Sequence, residues 1–190
     1  MARIAGVKSL YIAPLTMTEG VPSWGTPIEI PQFISFSGSK NFSDFQWYSN
    51  DTVENSYKQL TDVSLEITVG NISSKLKAML TGATYDEETG VYLDSTTDSA
   101  QEFALISVLS QLDAGKTGTL NQVYYRCALN VDGIEATTKT DSVTDSQVTI
   151  TGKAIPLPNG KFGATVDSFD ENVNEEVLKG WTTKVFYPEA

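Results

Sequence analysis

Histidine is absent from this chain of 190 residues, and cysteine occurs once, as Cys127. The lack of histidine removes the most common general base, the usual base partner of a serine or cysteine nucleophile, and the most common metal ligand. A single cysteine can form neither an internal disulfide nor a cysteine-rich metal site. We therefore expect a protein that is not an enzyme and that uses no cofactor or metal.

Positive charge is also scarce, because 13 basic residues stand against 24 acidic ones and give a net charge of -11. Tight binding to nucleic acid needs a basic surface that displaces counterions from phosphates. An acidic surface can instead line a passage that DNA crosses without sticking, since like charges repel over about 8 to 10 Å. Specific DNA binding is not expected.

Long apolar runs are missing as well. No stretch approaches the roughly 20 apolar residues of a membrane-spanning helix, and the opening MARIAGVKSLYIAPLT lacks the continuous apolar run of a secretory signal. We expect synthesis in the cytoplasm and no membrane insertion.

Alternation of apolar and polar residues dominates what the sequence does contain, and it is typical of half-buried β-strands. An Asn159-Gly160 turn adds a hairpin signal. The continuous apolar run Phe103 to Leu109 indicates either a strand that is buried on both faces or a core helix. Cys127 lies on an apolar face, so a small buried residue is favoured over a catalytic nucleophile. The fold class is therefore mainly β, and the strand-like runs are 7–15, 28–37, 62–70, 122–131, 147–156 and 161–166.

One short helix is predicted at 71–81. Its apolar residues recur at helical spacings, Asn71 can cap the first turn, and Gly82 stands where a terminal glycine belongs. A helix of this length is not stable alone, so it must pack on the sheet.

An unusual segment, residues 39–61, joins the strand-like runs before and after it. We call it the arm. Its polar and aromatic residues form no apolar face of their own, and such long exposed aromatic loops are uncommon in compact domains and are usually functional or disordered. Because aromatic residues are enriched in interface cores, we expect contacts with another copy of the chain; the alternative is that they fold back onto their own domain. The candidate inter-subunit residues are Phe42, Phe45, Trp47, Tyr48 and Tyr57.

The predicted domain covers residues 1–166. Residues 167–190 begin with an acidic run and end with a short apolar patch. Termini stay ordered only when they are held by other groups, so we expect an extension that docks on a neighbouring subunit.

Taken in order, these segments resemble the major tail proteins, or tail tube proteins, of long non-contractile-tailed bacteriophages. The resemblance runs from Val7 to Val166, and its motifs are patterns of strands and turns without a chemical signature. The matching stretches are GVKSLYIAPLT, GTPIEIPQFISFSGS, YSNDTVENS, DVSLEITVGNISSKLKAMLTG and TKTDSVTDSQVTITGKAIPLPNGKF.

This resemblance implies two packed antiparallel β-sheets flanked by one helix, which form part of an oligomeric β-barrel. It implies that six copies close into a ring, and that rings stack into the tail tube of the virion. Genome DNA passes through that tube during ejection, and other tail proteins contact its ends. The arm would reach an adjacent subunit or ring.

Two polar strand faces are candidates for the wall of the tube lumen, because they carry no positively charged side chain that could bind DNA phosphates. The alternative is that they face ordinary solvent on the outside. The candidate lumen-facing residues are Ser35, Ser37, Ser64, Glu66 and Thr68.

Other classes fit parts of the sequence. The inner-tube protein of a contractile tail or injection device has a similar fold. A carbohydrate-binding or adhesive β-sandwich would use Trp24, Trp47 and Trp181 as a sugar-stacking platform. The acidic turn DEET could hold calcium, although it lacks the spacing of oxygen ligands found in calcium loops.

Overall fold

The computed structural model describes residues 2–49, 52–131 and 147–188. These residues form eleven strands and two helices. The strands are β1 (Arg3–Thr18), β2 (Val21–Trp24), β3 (Ile28–Glu29), β4 (Phe33–Ser49), β5 (Thr52–Val69), β6 (Thr84–Tyr85), β7 (Tyr92–Leu93), β8 (Glu102–Asp113), β9 (Lys116–Val131), β10 (Val148–Ala154) and β11 (Gly163–Asp167). The helices are α1 (Ser74–Thr81) and α2 (Glu175–Gly180), and no helix in the described ranges is long and apolar enough to cross a membrane.

Nine of the strands form one antiparallel sheet in the order β2-β1-β8-β9-β10-β5-β4, with β3 also on β1 and β11 also on β9. Strands β6 and β7 make a small second sheet. The mainly β, antiparallel fold class is confirmed, and the large sheet does not close into a barrel within one chain.

Strand β8 lies at the centre of the fold and is buried on both faces, as one of the two interpretations of its apolar run predicts. One face contributes Phe103 and Leu105 to a core cluster that also contains β5 and α1. The other face contributes Ala104 and Ile106 to a second cluster around Trp181. This second cluster exists because the C-terminal segment covers that face of β8 and β9.

Helix α1 begins at Ser74, later than the predicted start, because Ser73 and not Asn71 is its N-cap. The Ser73 hydroxyl accepts a hydrogen bond from the Leu76 N–H at 3.3 Å. At the other end Gly82 has φ 76°, and an added Cβ would lie 2.0 Å from the Ser99 carbonyl oxygen. The predicted glycine at the end of the helix is thus required by both conformation and space.

The C-terminal segment adds a second short helix, α2, to the one that was predicted. Asn174 caps it by accepting hydrogen bonds from the backbone N–H groups of Glu176 and Val177. Trp181 follows at 2% exposure and stacks on Phe186 with ring centroids 5.3 Å apart. Residues 168–188 therefore pack on their own chain, and docking on a neighbour stays a prediction.

Strands β4 and β5 form a hairpin that is paired from Phe33 and Val69 to Ser49 and Thr52. Strand β10 flanks β5 only from Val63 to Val69. Beyond Val63 the two strands continue for nine residues of β4, or roughly 30 Å, and within the described ranges no third strand flanks them. The arm is therefore a β-ribbon where the sequence suggested a loop.

Candidate assembly surface

The arm exposes large aromatic side chains. Phe42, Phe45, Trp47 and Tyr57 are 56%, 50%, 60% and 55% exposed. Tyr48 belongs to β4, but its side chain lies outside the described residues. These four side chains are therefore available to a partner. They do not fold back onto their own domain, because at least half of each side chain is exposed to solvent.

These aromatic residues occupy both faces of the ribbon. Phe45 lies opposite Tyr57, and Trp47 follows two residues later on the same face. Phe42 lies opposite Leu60, on the other face. Covering half of one such ring is worth roughly 2 kcal/mol at 25 cal/mol per Å², so a partner that held the ribbon between two surfaces would gain on both sides.

The five candidate lumen residues lie together on one face of the hairpin base. Ser35 is opposite Thr68, Ser37 is opposite Glu66, and Ser64 lies on the same face. The opposite face of β5 carries its buried residues, among them Ile67 at 0% exposure. Strand β10 extends the polar face with Thr149, Thr151 and Lys153. The strand register assembles one polar surface, which we call the polar face; its position in an assembly stays a prediction.

Both basic side chains that β9 and β10 place on the polar face have acidic partners. The Lys153 Nζ lies 3.8 Å from Asp62 Oδ2. The Arg126 Nε lies 2.9 and 2.8 Å from the two carboxylate oxygens of Glu102. The sequence pattern does not predict these two ion pairs, because alternation alone does not give the register that brings distant strands together. Their pairing leaves the face without an uncompensated cation.

The structure does not form the tryptophan platform that a carbohydrate-binding sandwich would need, and it does not expose Cys127 as a nucleophile. Trp181 is buried, and the half-buried Trp24 donates its indole N–H to the Tyr125 carbonyl oxygen at 3.0 Å, so the three tryptophans do not form an exposed platform. Cys127 is 0% exposed, and burial raises the pKa of its thiol, which is the reverse of nucleophile activation.

The acidic turn is held by its own hydrogen bonds. The Asp86 carboxylate accepts from the Thr89 hydroxyl and from the backbone N–H groups of Glu88 and Thr89, and these bonds lower its pKa. Over the described part of the chain, no three histidine, cysteine or acidic side chains are grouped so that they could hold a metal ion.

Comparison with known proteins finds a matching family model and similar solved structures. The family model described as phage tail tube protein matches residues 41–185. A cryo-EM structure of the anti-feeding prophage cap, the tube-terminating cap, has a TM-score of 0.45 and 10% sequence identity, over 84% of this chain and 88% of that chain. No curated protein matches the sequence. Because the family model covers more than half of the chain, the protein belongs to the phage tail tube protein family and is a structural component of a phage tail.

Proposed function

We propose that copies of this chain assemble through the arm into rings of six, and that the rings stack into the tail tube through which genome DNA passes. The observation that carries the proposal is the arm itself, a ribbon with exposed aromatic rings on both faces and no third strand beside it in the described ranges. The ring size rests on the resemblance to tail tube proteins. Other tail proteins would contact the ends of the tube.

Open sheet edges support assembly between copies. The outer edge of β4 and the first half of β1 each have a strand partner on one side only, among the described residues. Such edges invite uncontrolled pairing in a monomer, and closing a sheet through neighbouring copies removes them. Contacts between two different surfaces of the same chain generate closed rings or open stacks, which is the symmetry of a tube.

The arm is tested by removing its rings. Phe45→Ala combined with Trp47→Ala is expected to abolish or strongly reduce tubes in negative-stain micrographs, because the contact loses roughly 4 kcal/mol of apolar burial. The matched control is Leu93→Ala, since Leu93 is 56% exposed but lies on the small sheet. Tubes that form equally well from the arm variant would contradict a role for the arm in assembly.

The polar face is proposed to line the lumen. Its support is chemical: the face carries serine and threonine hydroxyls and the exposed carboxylate of Glu66, while Arg126 and Lys153 are held by acidic partners. A wall of this kind offers phosphates no cation to bind.

Cysteine labelling tests this placement, because the native Cys127 is fully buried and does not react. In assembled tubes, Glu66→Cys should resist a maleimide attached to a large polymer, while Lys75→Cys on exposed α1 should be modified. Both variants should be modified when monomeric. Equal modification of Glu66→Cys in tubes and in monomers would place this face on the outer wall.

A further inference from the structure

A cleft of about 590 Å³ separates β1 from β4 at one end of the sheet. Its walls are Ile4 and Val7 from β1 and Phe36 from β4, and its floor includes Leu109 and Tyr124. A smaller cleft of about 120 Å³ continues it, since Lys40, Gln122 and Tyr124 line both. We call the two together the basal groove.

The basal groove is the place where the first core cluster reaches the surface. Val7, Phe36 and Tyr124 are only partly buried and pack directly against that cluster. Ile4 is 58% exposed at the rim. The groove therefore presents apolar side chains of the core that no element of the described ranges covers.

We infer that the basal groove of one copy binds the arm of another copy. This inference rests on the proposed function and names the surface that the arm contacts. Among the described residues, the rings of the arm have no apolar surface beneath them and the apolar surface of the groove has no cover. Each supplies what the other lacks, and the two share only Lys40 and Leu60 at the base of the arm.

The arm of a chain does not fill its own groove. Leu60 and Val63, at the base of the arm, line the rim of the groove, and from there the ribbon continues away in register with its rings half exposed. The contact is therefore made between copies. It joins two different surfaces, so it propagates from copy to copy and does not stop at a dimer.

Charge is compatible with this contact. Lys40 is the only charged side chain among the described residues that line the groove. On the arm, the Lys58 Nζ lies 3.7 Å from Asp44 Oδ1, and the net charge of this pair is zero.

The first test blocks the groove and leaves the arm intact. Ile4→Arg should raise the protein concentration needed for tubes roughly tenfold or more, a change of about 1.4 kcal/mol or more. The exposure of Ile4 means that the monomer should keep its urea midpoint, and Leu93→Arg is the matched control. If Ile4→Arg does not fold, Lys40→Glu replaces it, because this change at the base of the arm keeps all the aromatic rings of the arm. Lys116→Glu at the start of β9 is its control.

The second test mixes two defective chains. One carries Ile4→Arg and a normal arm; the other carries a normal groove and the arm changes Phe45→Ser and Trp47→Ser. Each alone should lack the contact, whereas the mixture should form discrete complexes that contain both chains in sedimentation velocity, because one intact arm meets one intact groove.

The outcomes separate this inference from the proposed function. Normal tubes from Ile4→Arg, or a mixture that sediments as two separate variants, would overturn the groove as the receptor and would leave tube formation standing. A wild-type chain that forms neither rings nor tubes would overturn the proposed function itself.

Discussion

Two tryptophans differ in burial, and we expect one to matter for the stability of the fold and the other for assembly. Trp181 is 2% exposed and Trp47 is 60% exposed. Trp181→Ala should lower the free energy of unfolding by about 3 to 5 kcal/mol, because it opens a cavity in the second core cluster. Trp47→Ala should change that free energy by less than about 1 kcal/mol.

Urea denaturation of the monomer, followed by far-ultraviolet circular dichroism, measures both changes. The signal comes from the backbone, so the loss of a tryptophan does not affect it directly. A similar loss of stability in the two variants would contradict the separation of core and assembly residues.

Two buried groups make the protein sensitive to alkali. Burial raises the pKa of Tyr125 to about 12 and raises the pKa of the Cys127 thiol. Unfolded tyrosine and cysteine ionise near 10 and 8.5, so above those values the unfolded state releases protons that the folded state keeps. The stability contribution is complete below about pH 8.5 and is lost as the pH rises toward the folded values.

Urea midpoints measured from pH 7 to pH 11 should therefore fall with pH, starting near pH 8.5. Cys127→Ala removes the earlier ionisation and should delay the start of the fall to near pH 10, where unfolded tyrosine begins to ionise. Midpoints that stay constant to pH 11 would contradict the burial of both groups.

At the scale of the element, the C-terminal segment stabilises the monomer. Helix α2 and Trp181 cover the face of β8 and β9 that carries Ala104, Ile106 and Tyr125. A chain that ends at Asp170 should therefore melt at a clearly lower temperature or fail to fold, because it exposes that apolar face. Thermal unfolding of the dilute monomer measures the effect, with Val185→Ser as a milder change in the same segment.

An extension that served only to dock on a neighbour would behave differently. The truncated monomer would then melt at the same temperature as the full chain and would fail only in assembly. That result would contradict the structural role of α2 and Trp181.

Strands with regular alternation could be predicted from the sequence, and others could not. The run Val63 to Val69 alternates because one face is core and the other is polar. The arm strands carry polar and aromatic residues on both faces, since neither face meets the core, so the period of two is lost. Helix α2 has only Val177 and Leu178 as apolar residues, which is too few for a helical pattern.

The candidate surfaces divide in the same way. Composition placed aromatic residues in the arm, and alternation placed Ser64, Glu66 and Thr68 on one face. The pairing of Arg126 with Glu102 depends on the register between β8 and β9, which includes a bulge. The basal groove depends on how closely β1 approaches β4. A local sequence pattern predicts neither the register between strands nor the distance between strands that are far apart in the chain.

At the scale of the whole molecule, several surfaces of the chain lack a partner. In the part of the chain that the structure describes, the aromatic rings of the arm have no surface beneath them, the apolar basal groove has no cover, and the large sheet has open edges. Membership of the phage tail tube protein family identifies the context in which copies of the chain would complete one another.

Cryo-electron microscopy of the concentrated wild-type protein tests the central claim, assembly into a tail tube, most directly. The account predicts hollow tubes of stacked six-fold rings, with the arm of each subunit in contact with another copy and Glu66 on the inner wall. Particles that remain monomeric at high concentration, or closed dimers in which the arms of two copies cover each other, would contradict it.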